Sequence, residues 1–266
     1  MASIAFHALV LIGQAGRILF PPTCPGCRRH VAAPGTLCPR CWGGLRFLEK
    51  PWCAVLGTPF LYEVEEGALS PQAIAQPPVF DRARAAVAYR GAAARIARAL
   101  KYADRTDLAP PMARWMARAG AEVIAEADLI VAVPLHWRRF WERRFNQSAE
   151  LARALARETG LPFEPDAVTR KRRTRPQVGL SRAERERNLR GAFAVPAEAA
   201  PRLRGKRVLL VDDVFTTGAT VNAVARALKR AGASGVDVLA FAMVLPGEAW
   251  EDDVAGGFWG GPEESI

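Results

Sequence analysis

The sequence predicts an α/β fold, a parallel sheet with flanking helices, preceded by a small N-terminal domain built on four cysteines. Three observations carry this. Short unbroken apolar runs such as "DLIVAVPL" and "VDVLAFAMVL" alternate with segments whose apolar residues recur at helical spacing, the pattern of a parallel sheet covered on both faces. Two C-x2-C pairs, "CPGC" and "CPRC", stand ten residues apart near the N-terminus. One apolar strand, in "VLLVDDVFTTGATV", runs into two adjacent carboxylates, then hydroxyl residues and a glycine, then a helix.

At 266 residues the chain is long enough for one ordinary domain and a smaller appendage. Ile4 to Phe20 is apolar but broken by His7, Gly13, Gln14, Gly16 and Arg17, which excludes a membrane span there. It lacks the basic start and cleavage site of a secretory signal and reads as an amphipathic helix, so the expected location is cytoplasmic. The formal net charge is +10. Such a balance points to phosphorylated partners, although an arginine-rich, alanine-rich composition can arise without selection for binding. Its distribution says more: Arg170 to Arg190 holds nine basic residues against Glu184 and Glu186.

In chain order, Cys24, Cys27, Cys38 and Cys41 come first. Paired knuckles present four sulfurs to one tetrahedral ion, which suits structural zinc and leaves no open coordination position. Disulfides conflict with the absence of a secretory signal, and an iron–sulfur cluster is the less favoured alternative. Cys53 is read as a buried apolar thiol and His30 as a surface residue. Glu49 to Val79, rich in proline and glycine without periodicity, is read as a connector. A strand is expected from Arg84 to Arg90, then a helix through Ile96, Ala99 and Leu100. A second helix should carry Met112, Trp115, Met116 and Val123. "DLIVAVPL" is a buried strand leading to the aromatic-basic loop "HWRRFWERRFN". The next helix spans Gln147 to Thr159, with Leu151 and Leu155 inward and Gly160 at its end. "FEPDAVTR" and "GAFAV" flank the basic segment as short strands. After the strand Val208 to Val211 comes a helix to Ala231, with Val221, Val224, Ala225 and Leu228 on one face and Gly232 as its stop. The glycine-rich, acidic tail is expected to be flexible. No internal repeat is apparent.

The ligand loop follows from placement at the carboxyl end of a strand, where open parallel sheets bind ligands. Thr216, Thr217, Gly218, Ala219 and Thr220 are small enough for backbone N–H groups and hydroxyls to converge on an anion at a helix N-terminus. Asp212 and Asp213 cannot bind that anion, but carboxylates accept hydrogen bonds from a vicinal diol, so the predicted ligand is a sugar phosphate. Helix capping would explain one carboxylate and one threonine, not the whole run. No G-x-x-x-x-G-K-[ST] and no G-x-G-x-x-G after a strand is present.

"VLLVDDVFTTGATV" resembles the loop of type I phosphoribosyltransferases that binds 5-phosphoribosyl 1-pyrophosphate (PRPP). Together with "YRGAAARIARALKYADR", "VPLHWRRFWERRFNQS", "RKRRTRPQVGLSRAERERNLRGAF" and the cysteine knuckles, it resembles the ComF family of competence-related proteins, which includes GntX-like proteins. The resemblance runs from Leu19 to Leu245. It implies an N-terminal helix and four-cysteine zinc-knuckle domain with its connector at 1–70, a phosphoribosyltransferase-like domain at 80–246 and a flexible tail at 247–266. It implies that Asp212 and Asp213 hold the ribose hydroxyls and that residues 216–220 bind the 5-phosphate. Val133 to His136 would then stand at the pyrophosphate loop, with His136, Arg138, Arg139, Arg143 and Arg144 available for phosphate oxygens. The segment after Thr169, with Arg173 and Arg175, stands at the family's mobile catalytic loop. Where family members often carry a further C-x2-C-G, this chain has Cys53, Leu56 and Gly57.

An active enzyme would bind PRPP with magnesium, expel pyrophosphate from the ribose and join a nitrogen acceptor, a pentosyl transfer of nucleoside metabolism. The other reading is a protein of DNA uptake that binds PRPP or a related ribose phosphate, with single-stranded DNA and the uptake machinery as candidate partners. Trp137, Phe140, Trp141 and Phe145 interleaved with arginines suit stacking on a single strand, and suit core packing equally. No residue pattern identifies the acceptor.

Overall fold

The computed structural model of the chain describes residues 21–102, 105–135, 145–171, 188–189 and 191–247. The N-terminal stretch, the tail beyond Gly247, and His136, Arg138, Arg139, Arg143, Arg144, Arg173 and Arg175 lie outside them. Four strands form an all-parallel sheet: β1 (Arg82–Ala88), β2 (Leu129–Ala132), β5 (Arg207–Phe215) and β6 (Gly235–Met243), in the order β1-β6-β5-β2. A separate antiparallel pair joins β3 (Thr169–Arg170) to β4 (Phe193–Ala194). The helices are α1 (Pro39–Gly43), α2 (Pro71–Ala75), α3 (Gly91–Tyr102), α4 (Ala109–Ala119), α5 (Ala121–Ala125), α6 (Gln147–Thr159), α7 (Ala200–Leu203) and α8 (Ala219–Arg230).

The two-residue period of the strands divides the core into two layers. Val208, Leu210, Val236 and Val238 point toward Val221, Val224, Ala225 and Leu228 of α8. Leu209, Val211, Leu239 and Phe241 point the other way, toward α3, α4 and α6 through Ile96, Leu100, Met112, Met116, Leu151 and Leu155. Fully burying each such side chain contributes about 1.5–3 kcal/mol, so packing on both faces rather than helix propensity holds these elements. The expected helix α6 is found with its expected bounds: Asn146 caps its start by accepting from Ser148 N–H, and Gly160 ends it in the left-handed region.

Several expectations are corrected. The segment read as one helix through Val123 is two, α4 and α5, broken at Gly120, where a Cβ would lie 2.7 Å from both Leu239 methyls. β1 begins at Arg82 and ends at Ala88, two residues earlier than expected. β5 does not stop at Val211. It continues through Phe215 because β6 pairs with it to Phe215↔Met243, whereas β2 pairs only to Ala132↔Val211. "FEPDAVTR" supplies only the two residues of β3 and a single bridge from Phe163 to Ile130.

The segment read as a connector is a packed element. Cys53, Leu56 and Ala73 join the same core as Ala83, Val236 and Val238. Gly57, at φ +67°, lies so close to β1 that a Cβ there would stand 2.3 Å from the Ala83 carbonyl oxygen. The segment also repeats the first cysteine unit, contrary to the expectation of no repeat. Cys24 N–H donates to Arg29 O at 2.7 Å, and Cys53 N–H to Thr58 O at 2.8 Å. Arg28 N–H closes on Cys24 O and Gly57 N–H on Cys53 O, each at 2.8 Å, with both donors at positive φ. Val31 N–H bonds Pro22 O as Phe60 N–H bonds Pro51 O. Bridges Thr23↔His30 and Trp52↔Pro59 match, and so do α1 and α2, five-residue helices that each open on proline.

Candidate active site and metal centre

β5 delivers Asp212 and Asp213 beyond the last residue that β2 covers, so on that side no described strand shields them. Asp213 is 8% exposed and Asp212 half-buried. Asp212 Oδ1 accepts from Ser148 Oγ at 3.0 Å and from Asp213 N–H at 2.9 Å. Asp213 Oδ1 accepts from Val214 N–H at 2.7 Å, and Asp213 Oδ2 pairs with Lys101 Nζ at 3.1 Å. Burial and the neighbouring Asp213 charge push the Asp212 carboxyl up to about 7 against the opposing pull of Lys101 and Ser148. Burial opposes the Lys101 charge, but Asp213 and Asp212 outweigh it and its pKa is raised. The ammonium stays charged, and one cation serves two carboxylates.

Phe215 ends the strand and the chain turns through Thr216 and Thr217 to Gly218, which takes φ +75° and caps α8. A Cβ at Gly218 would stand 3.2 Å from Phe215 Cζ, so the turn needs glycine for both conformation and space. The glycine at the N-cap offers this helix start no side-chain acceptor of its own. Thr217 Oγ1 accepts only a long bond, 3.4 Å, from Ala219 N–H. Ala219 is buried, while Thr216, Thr217 and Thr220 are half-buried along the rim. The cup thus combines the amide groups of a helix start with hydroxyls, an arrangement suited to an anion.

Two site residues were not anticipated. Lys101 stands at the end of α3 and Ser148 in the first turn of α6, far from β5 in sequence. The only signal was indirect: two neighbouring buried acids require a cation or donors from somewhere. Asn146 holds the approach to this corner, donating from Nδ2 to Val133 O at 3.0 Å while capping α6. Asn146 thereby ties the end of β2 to the first turn of α6, which carries Asp212's partner Ser148. The arginines of the aromatic-basic loop, and those at 173 and 175, lie outside the described residues.

At the other pole, the ligand atoms of Cys24, Cys27, Cys38 and Cys41 all lie within 4.8 Å of one another. Cys27 Sγ and Cys38 Sγ are 3.5 Å apart. Tetrahedral zinc with Zn–S near ~2.3 Å needs sulfurs roughly 3.8 Å apart, so the set fits the ion. A Cβ on Gly26 would stand 2.8 Å from Cys41 Sγ, within the cradle. Arg95 of α3 donates to the Gly26 carbonyl and Ala92 packs on the sulfurs, which fixes the knuckle to the sheet domain. His30 is exposed, as expected.

With this geometry in hand, comparison with known proteins is direct. Residues 15–74 match the family described as double zinc ribbon domain, and residues 146–256 match the phosphoribosyl transferase domain. The chain is 31% identical over 223 residues to the DNA utilization protein YhgH of Escherichia coli, covering 81% of this chain and 87% of that protein. It is 37% identical over 111 residues to competence protein F of Haemophilus influenzae, spanning 42% of this chain and 48% of that one. The chain belongs to the ComF family of phosphoribosyltransferase-like proteins. A further member, competence protein ComFC of Streptococcus pneumoniae, is 35% identical over 114 residues, 43% of this chain and 46% of that protein. The ComF chain pairs a zinc-ribbon unit with a parallel-sheet domain, and its four clustered cysteines support structural zinc. Among the described residues no helix is long and apolar enough to cross a membrane.

Proposed function

We propose that the corner formed by β5, α8, α3 and α6 binds PRPP or a related ribose phosphate, and that this binding serves the handling of incoming DNA. The observation that carries the reading is the sequence of groups along β5 and α8. Two carboxylates that face one ammonium among the described residues are followed, within one turn, by a helix start whose N-cap is a glycine with no side-chain acceptor to offer. Asp212 and Asp213 would accept from the 2- and 3-hydroxyls, with Lys101 paired to Asp213 and Ser148 fixing Asp212. The amides and hydroxyls of Thr216 to Thr220 would hold the 5-phosphate.

An acceptor of two diol hydrogen bonds must be unprotonated, so Asp212, held near 7 in the free protein, gives up a proton as ligand binds. Binding should therefore tighten as pH rises from about 6 to about 8, across that value. The zinc of the ribbon stays apart from this chemistry, since four thiolates leave it no open position. Magnesium would arrive with the pyrophosphate, held by substrate oxygens and water. The phosphoribosyl transferase match supports a second reading, transfer of the ribose 5-phosphate to a nitrogen acceptor. There the protein's task would be to stabilise charge developing on the departing pyrophosphate, the role for which the arginines at 138, 139, 143 and 144 and the basic segment with Arg173 and Arg175 are candidates. The names of the relatives support a place in competence and DNA use; a cytoplasmic location and single-stranded DNA as a partner are further parts of the proposal.

Titration of the purified protein with magnesium and PRPP tests the ligand, and pyrophosphate release across a panel of bases and amines tests turnover. Retained PRPP affinity in Asp212→Ala plus Asp213→Ala would refute the diol assignment. Negligible affinity for single-stranded DNA at low salt would remove the nucleic-acid partner.

A further inference from the structure

A double zinc ribbon implies two metal sites, and the repeat described above supplies two ribbons. The first holds Cys24, Cys27, Cys38 and Cys41. At the equivalent places the second holds Cys53, Leu56, Ser70 and Ala73. The equivalence is set by backbone contacts and not by residue type. Cys38 N–H donates to Cys24 Sγ at 3.3 Å, and Ser70 N–H donates to Cys53 Sγ at 3.2 Å. Cys38 and Ser70 each stand immediately before the proline that opens a five-residue helix. Trp42 N–H bonds Cys38 O at 2.9 Å, and Ile74 N–H bonds Ser70 O at 3.2 Å.

The donor set of the second ribbon does not fit zinc. Leu56 and Ala73 carry no ligand atom, a neutral serine hydroxyl is a poor ligand, and one thiolate cannot hold the ion. What stands there instead is satisfied without a metal. Cys53 Sγ accepts from Leu56 N–H at 3.4 Å as well as from Ser70 N–H. Ser70 Oγ accepts from Ala73 N–H at 3.3 Å and caps α2. Leu56 at 6% exposure, Ala73 at 4% and Cys53 at 0% fill the interior and join the core of the sheet domain.

We propose that residues 51–76 are a second zinc ribbon that works without metal, its ion replaced by the hydrogen-bonded Cys53 sulfur and an apolar plug of Leu56 and Ala73. The protein accordingly binds one zinc ion per chain. The difference matters for the site. The metal-free ribbon is bonded to β1 through Ala83 N–H and Val55 O at 2.7 Å. Its Leu56, Gln72 and Gln76 share a small cavity with Phe215, Thr217 and Gly218 of the cup. Val79 N–H, just beyond it, donates to Asn222 Oδ1 in the first turn of α8 at 2.7 Å. The ribbon nearer the cup is thus the one that metal loss leaves intact.

The test uses full-length, tag-free protein saturated with zinc and desalted. Elemental analysis should give one zinc per chain; two would overturn the proposal. Hydrogen exchange read by mass spectrometry before and after chelation should show residues 23–45 losing protection while 51–76 and β1 keep theirs. Equal loss in both ribbons would overturn it as well. Leu56→Cys with Ser70→Cys and Ala73→Cys should raise the content to two zinc ions per chain. The wild-type stoichiometry and exchange pattern decide the matter even if that variant does not fold.

Discussion

At the amino end of the central strands Asp237 is wholly buried, yet Arg82 Nη2 and Arg207 Nε reach its Oδ2 at 2.8 and 2.9 Å. Arg82 Nε adds a bond to Oδ1 at 3.0 Å, and Glu126 accepts the remaining guanidinium edge of Arg82. At the carboxyl end of the same sheet Asp212 and Asp213 share one ammonium and one hydroxyl. Among the described residues, one end gives its buried acid two cations, shared with the more exposed Glu126, and the other has one cation for two acids. The first arrangement is complete and serves the fold. The second is left electrostatically short, which is what a site waiting for hydroxyl donors requires.

Removing the carboxylate from the complete end should cost most. Asp237→Ala removes three charge-assisted hydrogen bonds from Arg82 and Arg207, which keep only the more exposed Glu126 and Asp81 as partners, and a loss of about 3–5 kcal/mol is expected in urea unfolding, with the ligand corner untouched in any fraction that folds. Lys101→Met attacks the deficient end. Asp212 can escape the lost cation by protonating, so the cost should be smaller, about 1–3 kcal/mol at about pH 8, and should shrink toward about pH 5. A cost independent of pH would mean that Lys101 acts through packing alone.

Asp212→Asn should have the reverse sign. The folded protein holds the Asp212 proton up to about 7 against an ordinary value of 3.8, so it binds more protons than the unfolded chain between those limits. Its contribution to stability is present below 3.8 and is lost as pH rises through about 7. The amide variant should therefore be more stable than the parent at about pH 8, by on the order of 1–2 kcal/mol, and level with it near about pH 4. Thermal melts of the two proteins across that range check the sign. An Asp212→Asn protein less stable at the alkaline end would contradict the charge shortage at this site.

Much of the site was legible in the sequence because its signals are local. A strand, two acids, threonines and a glycine before a helix lie within one short stretch, and α6 announces both its ends through Asn146 and Gly160. Lys101 and Ser148 were not legible. Neither belongs to a local pattern, and only the packing of α3 and α6 against β5 brings them to the acids. The length of β5 escaped for a related reason, since its last residues are strand only because β6 pairs there. The repeat was hidden more deeply. With leucine, serine and alanine at three of the four places, no second pair of C-x2-C motifs remains. What survives is backbone: the left-handed residue that is Arg28 in one ribbon and Gly57 in the other, and a proline at the start of α1 and of α2.

The central claim is that the deficient carboxylates and the glycine-capped helix start address one ribose phosphate. Isothermal titration with magnesium and PRPP at about pH 8, repeated on Asp212→Ala plus Asp213→Ala, tests it most directly. Saturable binding by the parent, lost by at least about tenfold in the double variant while its fold is retained, is the expected result, since each lost charged hydrogen bond costs roughly 1.5–3 kcal/mol. Unchanged affinity in a folded double variant would contradict it.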